Sequence, residues 1–216
     1  MHQLILDLLP VSPPTLDNFV AGGNAETVAG LTEWLAGGRR DTSFCVHGES
    51  GCGRSHLLLA SNFDYIDADT NPSLQGIADP GELAIDNVET LNPAGQIALF
   101  NHFNRLKTSG GRLLTAARQP PAHLALREDL RTRLGSGLIY RLQPLSDIEK
   151  AEAIGAQARE RALKLSPEAI SYLLRHAPRD MRTLSMLVVA LDQYTLEQKR
   201  PVTLPLLREL LNLENT

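Results

Sequence analysis

A glycine-rich segment, Gly48 to Ser55, constrains what this chain can fold into more than any other feature of the sequence. It reads Gly-Glu-Ser-Gly-Cys-Gly-Arg-Ser, follows a short apolar run and opens a stretch with helical periodicity. Glycines at this spacing allow backbone N–H groups and the positive end of a helix to surround phosphate oxygens. The segment therefore predicts a strand, a phosphate-binding loop and a helix in succession.

Two polar residues of this loop carry its predicted chemistry. Ser55 supplies the hydroxyl that such loops offer to Mg²⁺, whereas Arg54 stands where a lysine is usual. The planar guanidinium binds phosphate well, but it is not equivalent to the lysine point charge that follows the third phosphate of a nucleotide. The nucleotide-binding residues predicted in and beside the loop are Gly48, Gly51, Cys52, Gly53, Arg54, Ser55 and His56.

A second apolar run ends in an acid, as expected of the strand that accompanies a phosphate-binding loop. Leu83 to Asp86 reads as this strand, and the Asp86 carboxylate is predicted to hold Mg²⁺ together with Ser55. The next residue, Asn87, cannot accept a proton from water, and Glu89 lies off the strand end and is not assigned as a base. The sequence thus predicts a protein that binds ADP or ATP with Mg²⁺ and has weak or absent ATPase activity of its own.

The alternation of apolar runs and helix-like stretches predicts the fold class. Short strands separated by helices are typical of a parallel sheet with crossover helices, and after Pro144 the pattern becomes helical, with a capping box from Ser146 to Glu149. In this helical part, Val202–Leu204 is the one further strand signal. We expect an α/β core over residues 15–144 and a small all-helical domain over 145–216, preceded by a tail over 1–14. The predicted strands are Ser43–His47, Phe63–Ile66, Leu83–Asp86, Arg112–Ala116 and Leu138–Leu142.

Composition excludes several classes of protein. Apolar residues make up 43% and charged residues 21% of the chain, which is ordinary for a globular protein with a core. No run approaches the length of a membrane span, the first residues lack the features of a secretory signal, and two cysteines cannot staple a fold of this size. We therefore expect a cytoplasmic protein with no membrane partner. The sequence pI near 5.9 argues against a dedicated DNA-binding domain.

Several segments, spread over essentially the whole chain, resemble the DnaA branch of the AAA+ superfamily. The phosphate loop and the Asp86-Asn87 strand end fit this branch, and residues 14–20 and 22–24 are similar to its N-terminal segment. That similarity implies that Phe19 and Val20 lie against the adenine of a bound nucleotide. The end of the fourth predicted strand resembles the sensor 1 strand, with Ala117 in place of a polar residue. The resemblance implies an AAA+ core followed by a helical lid.

Two arginines of the second half match functional positions of the superfamily. Residues 129–135 resemble the arginine-finger segment, and Arg133 falls on the finger position, which implies that it reaches a nucleotide held by a neighbouring subunit. Arg182 matches the sensor 2 arginine, which reaches from the lid onto bound phosphates. The alternative for Arg133 is an ordinary surface or salt-bridged arginine. If it is a finger, head-to-tail homo-oligomers through this residue are permitted.

The N-terminal tail resembles a clamp-docking peptide. Gln3, Leu4, Leu6 and Leu8 are similar to the short motif by which DnaA-related regulators bind the DNA polymerase sliding clamp. The leucines would fill apolar pockets, and the glutamine would supply directional hydrogen bonds. The alternative is an amphipathic start or a first strand.

The resemblance implies a regulatory adaptor. Such a protein docks on the DNA-loaded clamp and offers Arg133 to ATP on the initiator DnaA, whose hydrolysis then prevents re-initiation of replication. One alternative is an autonomous AAA+ ATPase of the clamp-loader or helicase-loader kind. Another is a DNA-binding initiator, which would need a basic helix-turn-helix domain beyond the lid. We do not expect such a domain here, so we do not expect direct sequence-specific DNA binding either.

Overall fold

The computed structural model describes residues 13–77, 81–198 and 200–212. They divide into two compact units, Pro13–Pro144 and a second that starts at Leu145. The predicted clamp-binding residues Gln3, Leu4, Leu6 and Leu8 lie outside the described residues.

A parallel sheet forms the centre of the first unit. Its five strands are β1 (Ser43–His47), β2 (Asp64–Asp67), β3 (Glu82–Asp86), β4 (Arg112–Ala117) and β5 (Leu138–Arg141). They are ordered β2-β3-β4-β1-β5, and every neighbouring pair is parallel. The predicted parallel α/β class is confirmed, and each strand starts and ends within one residue of its predicted bounds.

Helices cover both faces of this sheet. They are α1 (Ala25–Leu35), α2 (Arg54–Ala60), α3 (Pro93–Ser109) and α4 (Glu128–Gly135). Successive side chains of a strand point to opposite faces, so Leu83 and Leu113 join one buried cluster while Ala84 and Leu114 join the other. The first cluster also holds residues of α3 and α4, and the second holds residues of α1 and α2.

The connection between β2 and β3 is made of turns. No helix is present over 68–77, the part of this connection that the structure describes. Ala68 and Leu74 are nevertheless buried in the cluster of Leu83 and Ile85, so the turns themselves close this end of the core. Strand β2 is intact and pairs with β3 along its whole length.

The second unit is helical where described. The predicted capping box is present, since Ser146 accepts a hydrogen bond from the Glu149 backbone and the Glu149 carboxylate accepts one from the Ser146 backbone. The strand predicted at Val202–Leu204 is wrong: Leu204 starts a helix and Val202 packs against the helical core, because the run has no strand beside it with which to pair. The helices are α5 (Asp147–Glu160), α6 (Pro167–His176), α7 (Met181–Gln198) and α8 (Leu204–Asn212). Of the helices described, none has the length and apolar content needed to cross a bilayer.

Candidate nucleotide-binding site

The carboxyl ends of the parallel strands bring the predicted site residues together. Gly48 follows β1, Asp86 ends β3 and Ala117 ends β4. The backbone N–H of Gly48 donates to the carbonyl of Ala117 over 3.1 Å, which ties the start of the loop to the neighbouring strand. Open α/β sheets bind ligands at this edge.

Each of three loop glycines occupies a position that another residue could not take without strain. Gly51 and Gly53 have φ values of 79° and 99°, in the left-handed region that favours glycine. A Cβ on Gly48 would overlap the carbonyl oxygen of Leu142 and approach the sulfur of Cys52 to 2.9 Å. The loop therefore brings its backbone closer to its surroundings than a side chain would allow.

Phe19 lies directly over this loop. A Cβ on Gly53 would be 2.6 Å from the Phe19 ring, and the ring centroids of Phe19 and His56 are 5.3 Å apart in an edge-to-face arrangement. His56 Nε2 lies 2.9 Å from the carbonyl oxygen of Thr15, so the ring donates its N–H to that oxygen. Phe19 and the half-buried Val20, the residues predicted to lie against adenine, thus belong to a segment that contacts the phosphate loop.

Two histidines at this edge should make the first unit sensitive to acid. Burial lowers the pKa of His56 and, with help from Arg141, of His47. Because both pKa values are lower in the folded state, the unfolded chain binds a proton at each histidine more tightly than the folded chain does. The stability that the neutral histidines provide is therefore fully present above the unfolded pKa of about 6.5 and is lost as the pH falls through the lower folded values. Thermal melts at pH 7.5 and 5.5 should show a larger loss for wild type than for His47→Gln/His56→Gln. His176→Gln, at an exposed residue of the second unit, should behave as wild type; equal losses in all three proteins would contradict the assignment.

The Asp86 carboxylate is buried and held in place. It is 1% exposed and accepts hydrogen bonds from the Asn87 backbone (2.9 Å) and the Tyr65 hydroxyl (3.2 Å). Burial and the adjacent Asp86 raise the pKa of Tyr65, which keeps its hydroxyl a donor. The Asn87 side chain turns away and donates to Asp67 over 2.9 Å. The exposed hydroxyl of Ser55 and this carboxylate are hard oxygen donors of the kind that Mg²⁺ prefers.

Arg54 is almost completely buried and meets an acid that sequence reasoning left out. Its side chain is 9% exposed, and Nη1 lies 3.9 Å from Oε1 of Glu89, too far for a hydrogen bond. That oxygen accepts the backbone N–H of Arg118 over 3.2 Å. Glu89 returns to the site because Asn87 adopts a left-handed conformation (φ 52°) and starts a 3₁₀ turn. The asparagine itself is the sequence signal that could have indicated this turn, because asparagine adopts the left-handed conformation more readily than most residues.

Arg133 presents a guanidinium on the surface of α4. Its central carbon lies 5.9 Å and 6.0 Å from the ring centres of Phe100 and Phe103 on α3. The side chain is half-buried, and among the described residues no carboxylate forms an ion pair with it. Arg112 and Arg127, by contrast, both pair with acids.

Arg182 belongs to the second unit, where it is exposed on the first turn of α7. The backbone N–H of the following residue, Thr183, donates to the Asp180 carboxylate over 2.9 Å, and this bond caps the start of α7. Within its own unit, Arg182 is thus carried by a capped helix with its side chain in solvent.

Comparison with known proteins identifies the class. Domain III of the replication initiation protein DnaA from Thermotoga maritima matches with 22% identity and a TM-score of 0.73, over 94% of this chain and 98% of that one. AMPPCP-bound DnaA from Aquifex aeolicus matches at 23% and 0.68, over 88% and 68%. The Thermotoga maritima RuvB branch migration motor matches at 18% and 0.64, over 94% and 72%. With the strand order, these likenesses confirm the predicted fold, an α/β core of the kind found in DnaA and RuvB followed by a helical unit.

The lid makes the assignment more specific. Residues 147–211 match the family model described as Hda, lid domain. This match over the helical unit and the likeness of the whole chain to DnaA support the predicted relation to Hda and DnaA.

Proposed function

We propose that this protein binds ADP or ATP at the Gly48–Ser55 loop and acts as a regulatory adaptor that offers Arg133 to ATP held by the initiator DnaA. The observation that carries the proposal is the state of Arg133. Its guanidinium is oriented by two aromatic rings, yet among the described residues it has no carboxylate partner. A cation in this state can approach the phosphates of another subunit.

Nucleotide binding is supported by the loop itself. Nη1 of Arg54 is buried and has no hydrogen-bond partner among the described residues. This is expected of a donor whose partner is a phosphate oxygen of the ligand. Ser55 and Asp86 would hold Mg²⁺, which when bound offsets phosphate charge. Phe19 would pack against the base from its place over Gly53. The similar DnaA from Aquifex aeolicus is bound to AMPPCP.

The same site is poorly equipped to activate water. At the end of β3 the Asn87 amide donates to Asp67 and cannot take a proton. At the end of β4 the Ala117 methyl group is fully buried and offers no polar contact. The chain's own nucleotide would therefore persist, while hydrolysis would take place in the partner's site.

Arg133 would act on the partner's nucleotide as an arginine finger in trans. A guanidinium placed on the charge that develops during phosphoryl transfer accelerates it by about 10³- to 10⁵-fold. Phe100 and Phe103 hold the cationic carbon and leave the N–H groups at its rim able to donate. The product, ADP-bound DnaA, would no longer initiate replication.

A reconstituted reaction tests this proposal. ATP-loaded DnaA, the sliding clamp on DNA and this protein are mixed, and formation of ADP is followed. We expect an increase of at least about a hundredfold over the same mixture without the protein. An unchanged rate, with each component shown to be folded, would contradict the proposal.

Clamp docking is proposed to depend on the tail. Gln3→Ala/Leu4→Ala should lose binding to the clamp, because it removes a directional hydrogen-bonding group and an apolar anchor. Pull-down on immobilised clamp and ADP titration should show lost clamp binding with unchanged nucleotide affinity. His2→Ala, beside the motif, is the matched control and should bind as wild type. Unchanged clamp affinity in the double variant would contradict docking through the tail.

A further inference from the structure

A carboxylate lies between two guanidinium groups beside the phosphate loop. Oε1 of Glu89 is 3.9 Å from Nη1 of Arg54 and 3.5 Å from Nε of Arg118. The backbone N–H of Arg118 also donates to this oxygen over 3.2 Å. In the pair of Glu89 and Arg118, the carboxylate is 21% exposed and the arginine side chain 70% exposed. The carboxylate is therefore the more tightly held of the two groups.

Two buried atoms of this cluster have no hydrogen-bond partner among the described residues. They are Nη1 of Arg54 and Oε2 of Glu89. Leaving such groups unpaired costs free energy, and a structure keeps them where a ligand or water completes the bonding. Arg54 holds the loop position whose cation contacts the second and third phosphates. In the proposed binding mode this open donor would contact the phosphate chain, with the Glu89 carboxylate 3.9 Å from it.

We infer that Glu89 is a specificity residue that makes the site prefer a nucleoside diphosphate to a triphosphate. The inference rests on the proposed nucleotide binding. A charge beside Arg54 repels the third phosphate more than the first two, since Coulomb energy falls with distance and is weakly screened at a part-buried site. The Glu89 carboxylate also offsets the positive charge of Arg54, which a third phosphate would need. Ala117, at the end of β4, has no polar group that could bind this phosphate instead.

Direct titration tests this role. We expect wild type to bind ADP at least about tenfold more tightly than AMPPCP, as measured by calorimetry with Mg²⁺. Glu89→Gln keeps the size and the oxygen that accepts the Arg118 N–H but removes the charge. It should tighten AMPPCP binding by at least about tenfold and change ADP binding by less than about threefold. Glu89→Ala should shift the ratio in the same direction if the glutamine variant does not fold.

Matched variants separate charge from shape. Glu89→Asp keeps the charge and should keep the preference for ADP. Glu152→Gln removes an equal charge at an exposed position of α5 and should titrate as wild type. The inference is overturned if wild type binds both nucleotides equally, or if Glu89→Gln changes both affinities by the same factor. It is also overturned if that variant loses only residual ATPase activity, since Glu89 would then be a base.

The two proposals fail in different ways. If wild type binds neither ADP nor AMPPCP, the proposed nucleotide site is wrong. If it binds both without preference, the nucleotide site stands and the role of Glu89 is wrong.

Discussion

Arg133→Ala is expected to reduce the stimulated hydrolysis of DnaA-bound ATP by at least about a hundredfold, because it removes the group that would stabilise charge in the partner's transition state. Folding should be little affected. The substitution removes the contacts of one half-buried cation with Phe100 and Phe103, which are worth about 0.5–1 kcal/mol. ADP formation and a thermal melt on the same preparation measure both quantities.

Neighbouring positions provide the controls for Arg133. Arg131→Ala removes a half-buried arginine from the same helix and should keep stimulation close to wild type. Arg133→Lys keeps the charge without the planar fork and should recover only part of the rate. Stimulation by Arg133→Ala at the wild-type level would defeat the finger assignment.

The second large effect is expected at the first glycine of the phosphate loop. Gly48→Ala should destabilise the first unit by about 2–3 kcal/mol, which would lower its melting temperature by about 4–12 °C. The added methyl group would overlap the carbonyl oxygen of Leu142. Relaxation is hindered, because the N–H of Gly48 is bonded to Ala117 and the N–H of Leu142 is bonded to His47. Nucleotide binding should weaken by at least about tenfold, since the loop must move.

Gly135→Ala is the matched control for this substitution. It adds the same methyl group at the end of α4, where no atom lies within 4 Å of the new Cβ. Its melting temperature and its affinity for ADP should match those of wild type. If Gly48→Ala also melted and bound as wild type, the close approach of the loop to Leu142 would be contradicted.

The sequence was sufficient to predict the core. Apolar runs gave the strands, and the glycines of the loop fixed where β1 ends, because their conformations and close contacts admit no other residue. Helix α3 was equally predictable: Asn92 accepts the Gly95 N–H at its start, and Gly110 ends it at a φ of 76°. These signals are local, so a single sequence contains them.

The arrangement of the site was less predictable, because it depends on contacts between distant segments. Tyr65 reaches Asp86 from the neighbouring strand, and no pattern in the sequence pairs them. Glu89 was set aside because it lies beyond the strand end, whereas the turn at Asn87 brings it to Arg54. The segment Val202–Leu204 was misread for the same reason, since only the surrounding helices decide how Val202 and Leu204 are buried.

The central claim is that Arg133 of this protein acts on ATP that is bound to DnaA and not to this protein. The most direct measurement loads DnaA with radiolabelled ATP and this protein with unlabelled ADP, removes free nucleotide and adds the clamp on DNA. Our account predicts that labelled ADP forms on DnaA at the stimulated rate, although this protein carries nothing to hydrolyse. Formation of labelled ADP only after this protein is given ATP of its own would contradict the account and favour an autonomous ATPase.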